Sequence, residues 1–385
     1  MRKYQFPKNF LWGSATSSYQ VEGDIENNDW AEWAKRGKVP FAGKSTDHYN
    51  CYSEDFDIVK KLGQNSYRFS IEWSRIEPEE GKFNFAEIVH YRNVLESLNN
   101  KGIKPIITLH HFTLPIWFAQ KGGFCQKESP EIFARYCFYV LSHLHEYCYI
   151  WDTINEPMVL ASNGYIKKTW PPFKRNPWKY YKVLQNLIKS HNLAYTELKK
   201  EFPKLSIGII KHNICFVSDE KIWNKVTRKI LNYFWNHYFL KRIYQKTDHI
   251  GLNYYFYSQI GRKKRFSQSD MGWDLNPEGI YHCLMDLKKY KKPIFVAEAG
   301  LADQEDQNRA WYIKTLIMWV HMALSADVDV RGFIYWSLLD NFEWAHGYDS
   351  KFGLVHVDFE TRKRTIRKSA LVYQEICESG FLTIE

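Results

Sequence analysis

Short apolar runs rich in β-branched and aromatic residues recur along the chain, and each is followed by a stretch with helical spacing. The runs begin near Phe10 and at Ser66, Lys104, Tyr149, Leu205, His249, Pro293 and Val330. The chain has 385 residues, so eight units average about 48 residues each, which is enough for a strand, a loop, a helix and a second loop. The pattern therefore predicts strands and helices that alternate around a parallel sheet.

The segment between the second and third runs shows the helical spacing clearly. Its apolar residues are separated by three or four positions: Ile88, Tyr91, Leu95 and Leu98. Lys101 and Gly102 end the segment just before the next strand, as expected for a helix that connects two parallel strands. Eight such units without a Pro- or Ser-rich linker favour an α/β fold, a single (β/α)8 TIM barrel over residues 1–385, rather than two domains.

The composition fits a large folded chain. Apolar residues make up 45% and charged residues 25%, which excludes disorder, collagen and coiled coil. The 15 Trp, 26 Tyr and 25 Phe could fill a large core or line a site where rings stack on a ligand. Composition alone does not separate these two uses.

The net charge of +10 would suit nucleic acid or an anionic surface if the charge were clustered. The densest basic runs, residues 262–265 and 362–368, lie near turn-like residues and are interpreted as solvated loops. A nucleic-acid binder would interleave aromatic residues with these runs, whereas the aromatic residues gather at the ends of the predicted strands. We therefore expect no nucleic-acid partner.

Seven cysteines without a C-x-x-C pair argue against a disulfide framework and against a zinc ribbon, so a reducing compartment fits best. The N-terminal residues include Gln5 and Pro7 instead of a long apolar segment, and no apolar run reaches about 18 residues. We expect a cytoplasmic protein without a membrane partner. The oligomeric state stays open.

Polar and aromatic residues stand at the ends of the predicted strands, where barrel enzymes carry their chemistry. They are Glu72, Trp73, His110, His111, Asn155, Glu156, Asn253, Tyr255, Glu298 and Trp336. Glu156 in T-I-N-E-P and Glu298 in V-A-E-A-G end the fourth and seventh strands. Two carboxyls among Trp, His, Asn and Tyr suit glycosidic cleavage, in which one protonates the leaving oxygen and the other attacks or stabilises the anomeric carbon. Either glutamate alone could equally be an ion-pair partner inside the barrel, but the pair favours catalysis.

Longer segments carry a resemblance to a known family. They are F-P-K-N-F-L-W-G-S-A-T-S-S-Y-Q-V-E-G from Phe6, Y-R-F-S-I-E-W-S-R-I-E-P from Tyr67, T-I-N-E-P, G-L-N-Y-Y, and W-S-L-L-D-N-F-E-W from Trp336. In their order and number they resemble glycoside hydrolase family 1, the retaining β-glucosidases and relatives, nearly end to end. The resemblance implies a small β-glycoside or oligosaccharide as substrate.

By this resemblance Glu298 is the nucleophile, which forms a covalent glycosyl-enzyme, and Glu156 is the acid/base. Arg68 matches an arginine that supports the nucleophile, Asn155 a residue that hydrogen-bonds the sugar 2-hydroxyl, and Tyr255 a tyrosine that touches the nucleophile. Arg68 and Tyr255 could also serve the core alone. We expect no cofactor, because carboxyls supply both the nucleophile and the proton transfer.

The resemblance also implies which residues bind the sugar. The positions that match hydroxyl-binding residues are Gln20, His111, Glu343 and Trp344, with Trp336 as the ring beneath the sugar and Trp273 as the aglycone platform. Trp273 could also be an ordinary packing residue.

Glu343 separates two branches of the family. The 6-phosphoglycosidase branch has Ser there, with Lys and Tyr where this chain has Ser350 and Phe352. A buried acidic side chain would repel a 6-phosphate, so we expect an unphosphorylated glucoside, galactoside or fucoside. The alternatives are a 6-phospho-β-glycosidase and a catalytically weak sugar-binding protein on the same barrel.

The chain departs from the family pattern in two ways. Ala299 follows the matched nucleophile where Asn is usual, and Phe112 replaces the usual Trp after the sugar-binding His. The chain is also short, and the deficits fall between residues 213 and 249, between residues 255 and 273, and after Gly300. Loops after strands form the active-site rim, so we expect a wider, less selective aglycone entrance.

His143, His145, Glu146 and Cys148 contain ligand types that could hold a metal ion. Residues two apart on a helix point in different directions, so the two histidines could not easily share an ion. We expect no metal site here.

Overall fold

Eight parallel strands close into a barrel in the computed structural model, which describes residues 2–262 and 266–384. In chain order they are β1 (Leu11–Ala15), β2 (Ser66–Ser70), β3 (Lys104–His110), β4 (Ile150–Asn155), β5 (Ser206–His212), β6 (Ile250–Asn253), β7 (Ile294–Ala299) and β8 (Val330–Trp336). Each strand pairs in parallel with its neighbours in sequence, and β8 pairs with β1 to close the barrel. The predicted strands and the predicted fold class are confirmed.

One long helix follows each strand. These helices are α1 (His48–Lys61), α2 (Phe85–Asn100), α3 (Ser129–Leu144), α4 (Pro177–Glu201), α5 (Ile222–Asn232), α6 (Gly279–Leu287), α7 (Arg309–Ser325) and α8 (Lys368–Ser379). A layer of helices around a parallel barrel covers the outward side chains of the strands and gives the chain its main core.

Helix α2 is the predicted helix between the second and third strands. It begins after Asn84, whose side-chain oxygen accepts a hydrogen bond from the Ala86 amide at 3.1 Å. The four apolar residues with helical spacing are buried, and the helix ends at Asn100 before Lys101.

Shorter elements fill the connections. The short α-helices are Ser18–Val21, Asp29–Lys35, Trp73–Ile76, Ile116–Gln120, Pro157–Ser162 and Leu240–Ile243. The 3-10 turns are Gly123–Cys125, His145–Tyr147, Tyr244–Lys246, Lys288–Tyr290 and Trp344–His346, and π-helical turns span Asn163–Lys167 and Tyr233–His237.

Three small two-stranded sheets lie outside the barrel. Arg2–Gln5 pairs antiparallel with Phe381–Ile384, and Val355–Val357 pairs antiparallel with Arg364–Ile366. Cys215–Ser218 and Tyr257–Ile260 pair in parallel just beyond the carboxyl ends of β5 and β6. The last pair lies in two of the segments expected to be short.

Several sequence features can now be placed. The seven cysteines are free thiols, and five of them are buried. Of the first basic run, residues 263–265 lie outside the described residues. No helix in the described part of the chain combines the length and the apolar character needed to cross a bilayer.

Candidate active site

A cleft of about 670 Å³ opens at the carboxyl ends of the barrel strands. This volume is within the range of small-molecule sites. Most of the predicted site residues line it: Gln20, His111, Glu156, Tyr255, Trp273, Glu298, Trp336, Glu343 and Trp344. The two others, Arg68 and Asn155, lie buried directly behind this wall.

Glu298, near the end of β7, receives a hydrogen bond on each carboxylate oxygen. The Arg68 guanidinium donates to Oε1 at 2.5 Å, and the Tyr255 hydroxyl donates to Oε2 at 2.7 Å. Both Arg68 and Glu298 are buried, so their attraction is little screened by water. These two donors fix the orientation of the Glu298 carboxylate.

Arg68 projects from the middle of β2 and is fixed by two further bonds. Its Nε donates to the Thr108 hydroxyl at 3.1 Å, and its second terminal nitrogen donates to Asn155 Oδ1 at 2.9 Å. The planar fork of an arginine can satisfy such partners together, which orients it towards Glu298.

Glu156 lies between β4 and the helix Pro157–Ser162, with φ of 45° and ψ of 60°. A left-handed backbone costs a non-glycine residue about 1–3 kcal/mol, and such strain is concentrated at functional sites. Asn253 donates to Glu156 Oε1 at 2.8 Å. Burial, and next the charge of Glu298, raise the pKa of Glu156 to about 8, so its carboxyl is protonated at neutral pH.

A chain of polar contacts connects the two carboxyls. The Asn253 amide that bonds Glu156 also approaches Asn155 Oδ1 at 3.4 Å, and Asn155 Oδ1 accepts from Arg68, which in turn bonds Glu298. Displacing one member therefore shifts the position of the others.

Lys211 is a buried ammonium group near Glu156 that the sequence analysis missed. It donates to the backbone carbonyls of His212 at 2.9 Å and Trp235 at 2.7 Å. Burial lowers the pKa of Lys211 to about 7, against the opposing effect of Glu156. Lys211 directly follows the apolar run L-S-I-G-I-I that begins at Leu205. A lysine inside an apolar strand pattern is the signal that could have found it.

Glu343 follows β8 and is partly buried in the cleft wall. Burial first, and then the charge of Glu298, raise the pKa of Glu343 to about 8, while Gln20 Nε2 donates weakly to its Oε2 at 3.4 Å. Glu343 is therefore largely protonated at neutral pH. A protonated Glu343 would repel a 6-phosphate less than an ionised one, so the preference for an unphosphorylated sugar stays a prediction.

Parallel rings form the inner wall of the cleft. The His111 ring lies parallel to Trp336 and to Trp344, with centroids 6.0 Å away in both cases. Phe112 packs edge-on against Trp344 at 5.1 Å and against Trp170 at 4.9 Å. The unusual Phe112 therefore supports the wall through its ring and offers no hydrogen bond there.

Trp273 stands on another part of the wall. Its ring meets the edge of Tyr255 at 5.6 Å and lies 5.3 Å from Phe256. It is partly exposed, as expected of a residue that a ligand can reach.

Besides Asn155 and Asn253, three predicted strand-end residues do not line the cleft. The Glu72 carboxylate accepts hydroxyl hydrogen bonds from Ser18, Ser74 and Thr113 and is fully enclosed. Trp73 stacks on Tyr136, and His110 packs against Phe124. These side chains hold the loops behind the cleft in place.

Three of the four residues weighed as metal ligands have separate contacts. The His143 ring nitrogen bonds the Tyr139 carbonyl at 2.8 Å, the His145 ring nitrogen bonds the Leu141 carbonyl at 3.0 Å, and the Cys148 thiol faces the Pro105 carbonyl. Among residues 2–262 and 266–384, no group of three His, Cys, Asp or Glu side chains is placed to hold an ion.

A parallel barrel with buried carboxyls and tryptophans at the carboxyl ends of its strands defines the class of barrel hydrolases that act on carbohydrates. The model of one family within that class, described as "Glycosyl hydrolase family 1", matches residues 2–245 and 220–381. The chain belongs to this family and is a glycoside hydrolase, a β-glycosidase.

Individual relatives agree with this assignment. Beta-glucosidase A of Thermotoga maritima is 31% identical over 444 aligned positions, which cover 99% of this chain and 100% of that protein. Beta-galactosidase of Pyrococcus woesei is 29% identical, with 98% of each chain covered. The solved structure of beta-glycosidase from Pyrococcus horikoshii matches with a TM-score of 0.95 at 36% identity and covers 100% of this chain and 97% of that one. The alignment with the Thermotoga protein exceeds 385 residues, so this chain is the shorter of the two, as predicted.

Proposed function

We propose that residues 1–385 form one catalytic unit, which removes a terminal sugar from unphosphorylated β-glycosides with retention of configuration. Glu298 is the nucleophile and Glu156 the acid/base. The observation that carries the proposal is the unequal environment of the two carboxyls. Glu298 has a guanidinium and a phenol as donors, whereas Glu156 has a single amide and a pKa raised to about 8.

In the first step a Glu298 oxygen attacks the anomeric carbon while the bond to the leaving oxygen breaks. Glu156 gives its proton to that oxygen, so the aglycone departs as a neutral alcohol and the sugar remains as an ester on Glu298. Arg68 and Tyr255 hold Glu298 in orientation for the attack, and Asn155 is proposed to bind the sugar 2-hydroxyl.

In the second step Glu156 takes a proton from water, whose oxygen attacks the anomeric carbon and releases Glu298. Ester formation removes the negative charge of Glu298, which is one cause of the raised pKa of Glu156. The pKa of Glu156 therefore falls after the first step, and the same carboxyl becomes able to act as a base.

Ser350 and Phe352 match the phosphate-binding positions of the 6-phosphoglycosidase branch, and their side chains favour a neutral sugar. Phe352 is apolar and buried, and the Ser350 hydroxyl bonds Met271 Sδ at 2.8 Å. On the described cleft wall Lys167 is the one lysine or arginine, and it is exposed. A buried phosphate without a cation would carry a large desolvation cost. Because relatives are named β-glucosidase and β-galactosidase, we propose glucosides, galactosides or fucosides as substrates.

We further propose that the short segments after β5, β6 and β7 leave room for varied aglycones. Trp273 offers a flat ring there as a platform. Cleavage restricted to one small aglycone, with longer β-linked oligosaccharides refused, would contradict this part of the proposal. The free thiols support a reducing, cytoplasmic location.

Kinetics of three matched glutamate variants test the assignment. With nitrophenyl β-glycosides we expect Glu298→Gln to abolish turnover. Glu156→Gln should lose about 10²–10⁴-fold on poor leaving groups and much less in the first step on good ones. Glu72→Gln, a buried glutamate outside the cleft, serves as the control and should keep kcat. Near-normal turnover by Glu298→Gln would contradict the assignment of Glu298 as the nucleophile.

The stereochemistry of the product tests the mechanism separately. We expect proton NMR to show the β-anomer first when the wild type hydrolyses a nitrophenyl β-glycoside. Initial release of the α-anomer would contradict retention and leave the family assignment untouched.

A further inference from the structure

Helix α5 presents its apolar side to solvent. Ile222 is 67% exposed, Trp223 78% and Ile230 50%, and no residue of this helix is buried. Positions 222, 226 and 230 lie one turn apart on a single face. The polar residues Arg228 and Asn232 instead line a separate cavity of about 450 Å³ towards α6, where Asn232 donates to the Asp286 carboxylate at 3.0 Å. A surface helix usually has the reverse orientation.

The exposed apolar surface continues onto the start of α4. Trp178 is 83% exposed and Tyr181 is 52% exposed. Tyr238, which contacts Tyr181, stacks on the half-exposed ring of Phe234 at 6.0 Å. We call this surface the apolar patch, and its members are Trp178, Tyr181, Ile222, Trp223, Val226, Ile230, Leu231 and Phe234. A contiguous exposed apolar surface usually marks an interaction site.

The apolar patch reaches the mouth of the cleft. Leu231 and Phe234 belong to the patch and also line the cleft, and Tyr180, next to Tyr181, lines it as well. Whatever covers the patch therefore lies beside the entrance for substrate.

Basic side chains surround the apolar patch. Exposed cations close to the start of α4 include Lys174, Arg175, Lys179 and Lys182, and those at α5 include Lys221 and Lys229. Lys225 is paired with Glu220. The whole chain carries +10. Tryptophans beside lysines on a helix with one apolar face are typical of segments that lie in the interface of an anionic bilayer.

The same charges disfavour a second copy of this chain as the occupant. A symmetric dimer through the patch would bring equal sets of lysines opposite each other, because such an interface uses the same surface twice. An anionic lipid surface provides complementary charge and an apolar layer for the tryptophans.

We propose that the apolar patch docks on the surface of an anionic lipid bilayer, with the mouth of the cleft beside the headgroups. The docking goes beyond the proposed hydrolysis and does not depend on it. It also departs from the expectation of no membrane partner, which was based on the lack of a spanning segment. A peripheral helix needs no such segment.

Vesicle sedimentation tests the docking on the full chain. We expect binding to vesicles of equal phosphatidylglycerol and phosphatidylcholine that weakens with added salt, and much weaker binding to phosphatidylcholine alone. The variant Ile222→Ser, Trp223→Ser, Ile230→Ser should bind at least about tenfold less. Trp311→Ser removes another Trp that is 50% exposed, on α7, and should bind like the wild type. Circular dichroism checks that each variant is folded.

Three results would overturn the proposal. They are no binding of the wild type to either vesicle, unchanged binding by the triple variant, and a wild-type dimer that the triple variant dissociates without any vesicle binding. Should the triple variant fail to fold, a fluorescence measurement with vesicles of brominated lipids tests the docking instead. These lipids should quench the tryptophan fluorescence of the wild type more than that of Trp223→Phe. Equal quenching would contradict the docking. Vesicle binding by Glu298→Gln would separate docking from hydrolysis.

Discussion

Glu156, Glu298 and Glu343 share the described cleft with Arg68 behind its wall, and this ratio of charges affects the protonation of Glu156 and Glu343. Arg68 pairs with Glu298 alone, so Glu156 and Glu343 remain without a cation in direct contact and hold their protons. Burying one negative charge in the cleft costs less desolvation free energy than burying three.

The raised pKa of Glu343 predicts a pH-dependent stability cost. Its native pKa of about 8 lies above the ordinary value of 4.5, so the native state holds this proton more tightly, and its contribution is lost as pH rises from about 4.5 through 8. Glu343→Gln cannot titrate. Its Tm relative to the wild type should therefore be higher at pH 9 than at pH 5.

Differential scanning calorimetry at the two pH values checks this. Glu305→Gln, at an exposed position, is the control and should show the same difference from the wild type at both. A Glu343→Gln difference that does not change with pH would contradict the electrostatic account.

Single residues differ in how far the sequence could predict them. Glu156 and Glu298 were predictable because they end strands inside long motifs. Lys211 was not, because its two partners are backbone carbonyls, one of them 24 positions away at Trp235. Glu72 was misplaced because a strand-end position does not specify which way the side chain turns.

At the scale of elements, the ends of β7 and β8 touch directly. Gly300 follows β7, and a Cβ added there would lie 1.8 Å from the backbone oxygen of Trp336. Gly300 does not have a positive φ, so the backbone conformation does not require a glycine there. The glycine is needed because there is no space for a Cβ. Any side chain at position 300 would therefore collide with the backbone of Trp336, whose ring lines the same cleft as Glu298.

We predict that Gly300→Ala pushes β8 outward and moves Trp336. Overpacking of this kind costs about 1–3 kcal/mol, and we expect a lower Tm together with a higher KM. Steady-state kinetics and thermal unfolding provide the measurement. An unchanged KM would mean that the strand ends adapt without moving the ring.

Helix α5 shows what periodicity leaves open. Its apolar residues have helical spacing, which predicts a helix after β5. The apolar face of a surface helix usually packs against the core, whereas this face is exposed. The pattern specifies a face and gives no information on what covers it. Arg228 and Asn232 face the molecule because Asp286 and its surroundings supply polar partners.

At the scale of the whole molecule, the eight strands were predictable because each lies in a short β-rich run that is followed by a stretch with helical spacing. The sheet of Arg2–Gln5 with Phe381–Ile384 was not, because Arg2–Gln5 is mostly polar and the two segments meet across almost the full length of the chain. The pair is joined to the helix layer by His321, which bonds the Gln5 carbonyl at 3.0 Å.

Deleting residues 381–385 should lower stability and spare catalysis. The deletion removes the buried Leu382 and the strand pairing, while the cleft lies at the opposite end of the barrel. We expect a Tm lower by several degrees with kcat/KM near that of the full chain. A parallel loss of kcat/KM at a temperature where the variant is folded would contradict this separation.

The pairing of the terminal strands also brings residues 2 and 384 next to each other. Because Arg2 lies opposite Ile384, a linker of a few residues could join the ends, and new ends could be opened in an exposed connection between two units. Any of the eight units could then be synthesised first. The order in which the units leave the ribosome is therefore separable from the architecture that they build.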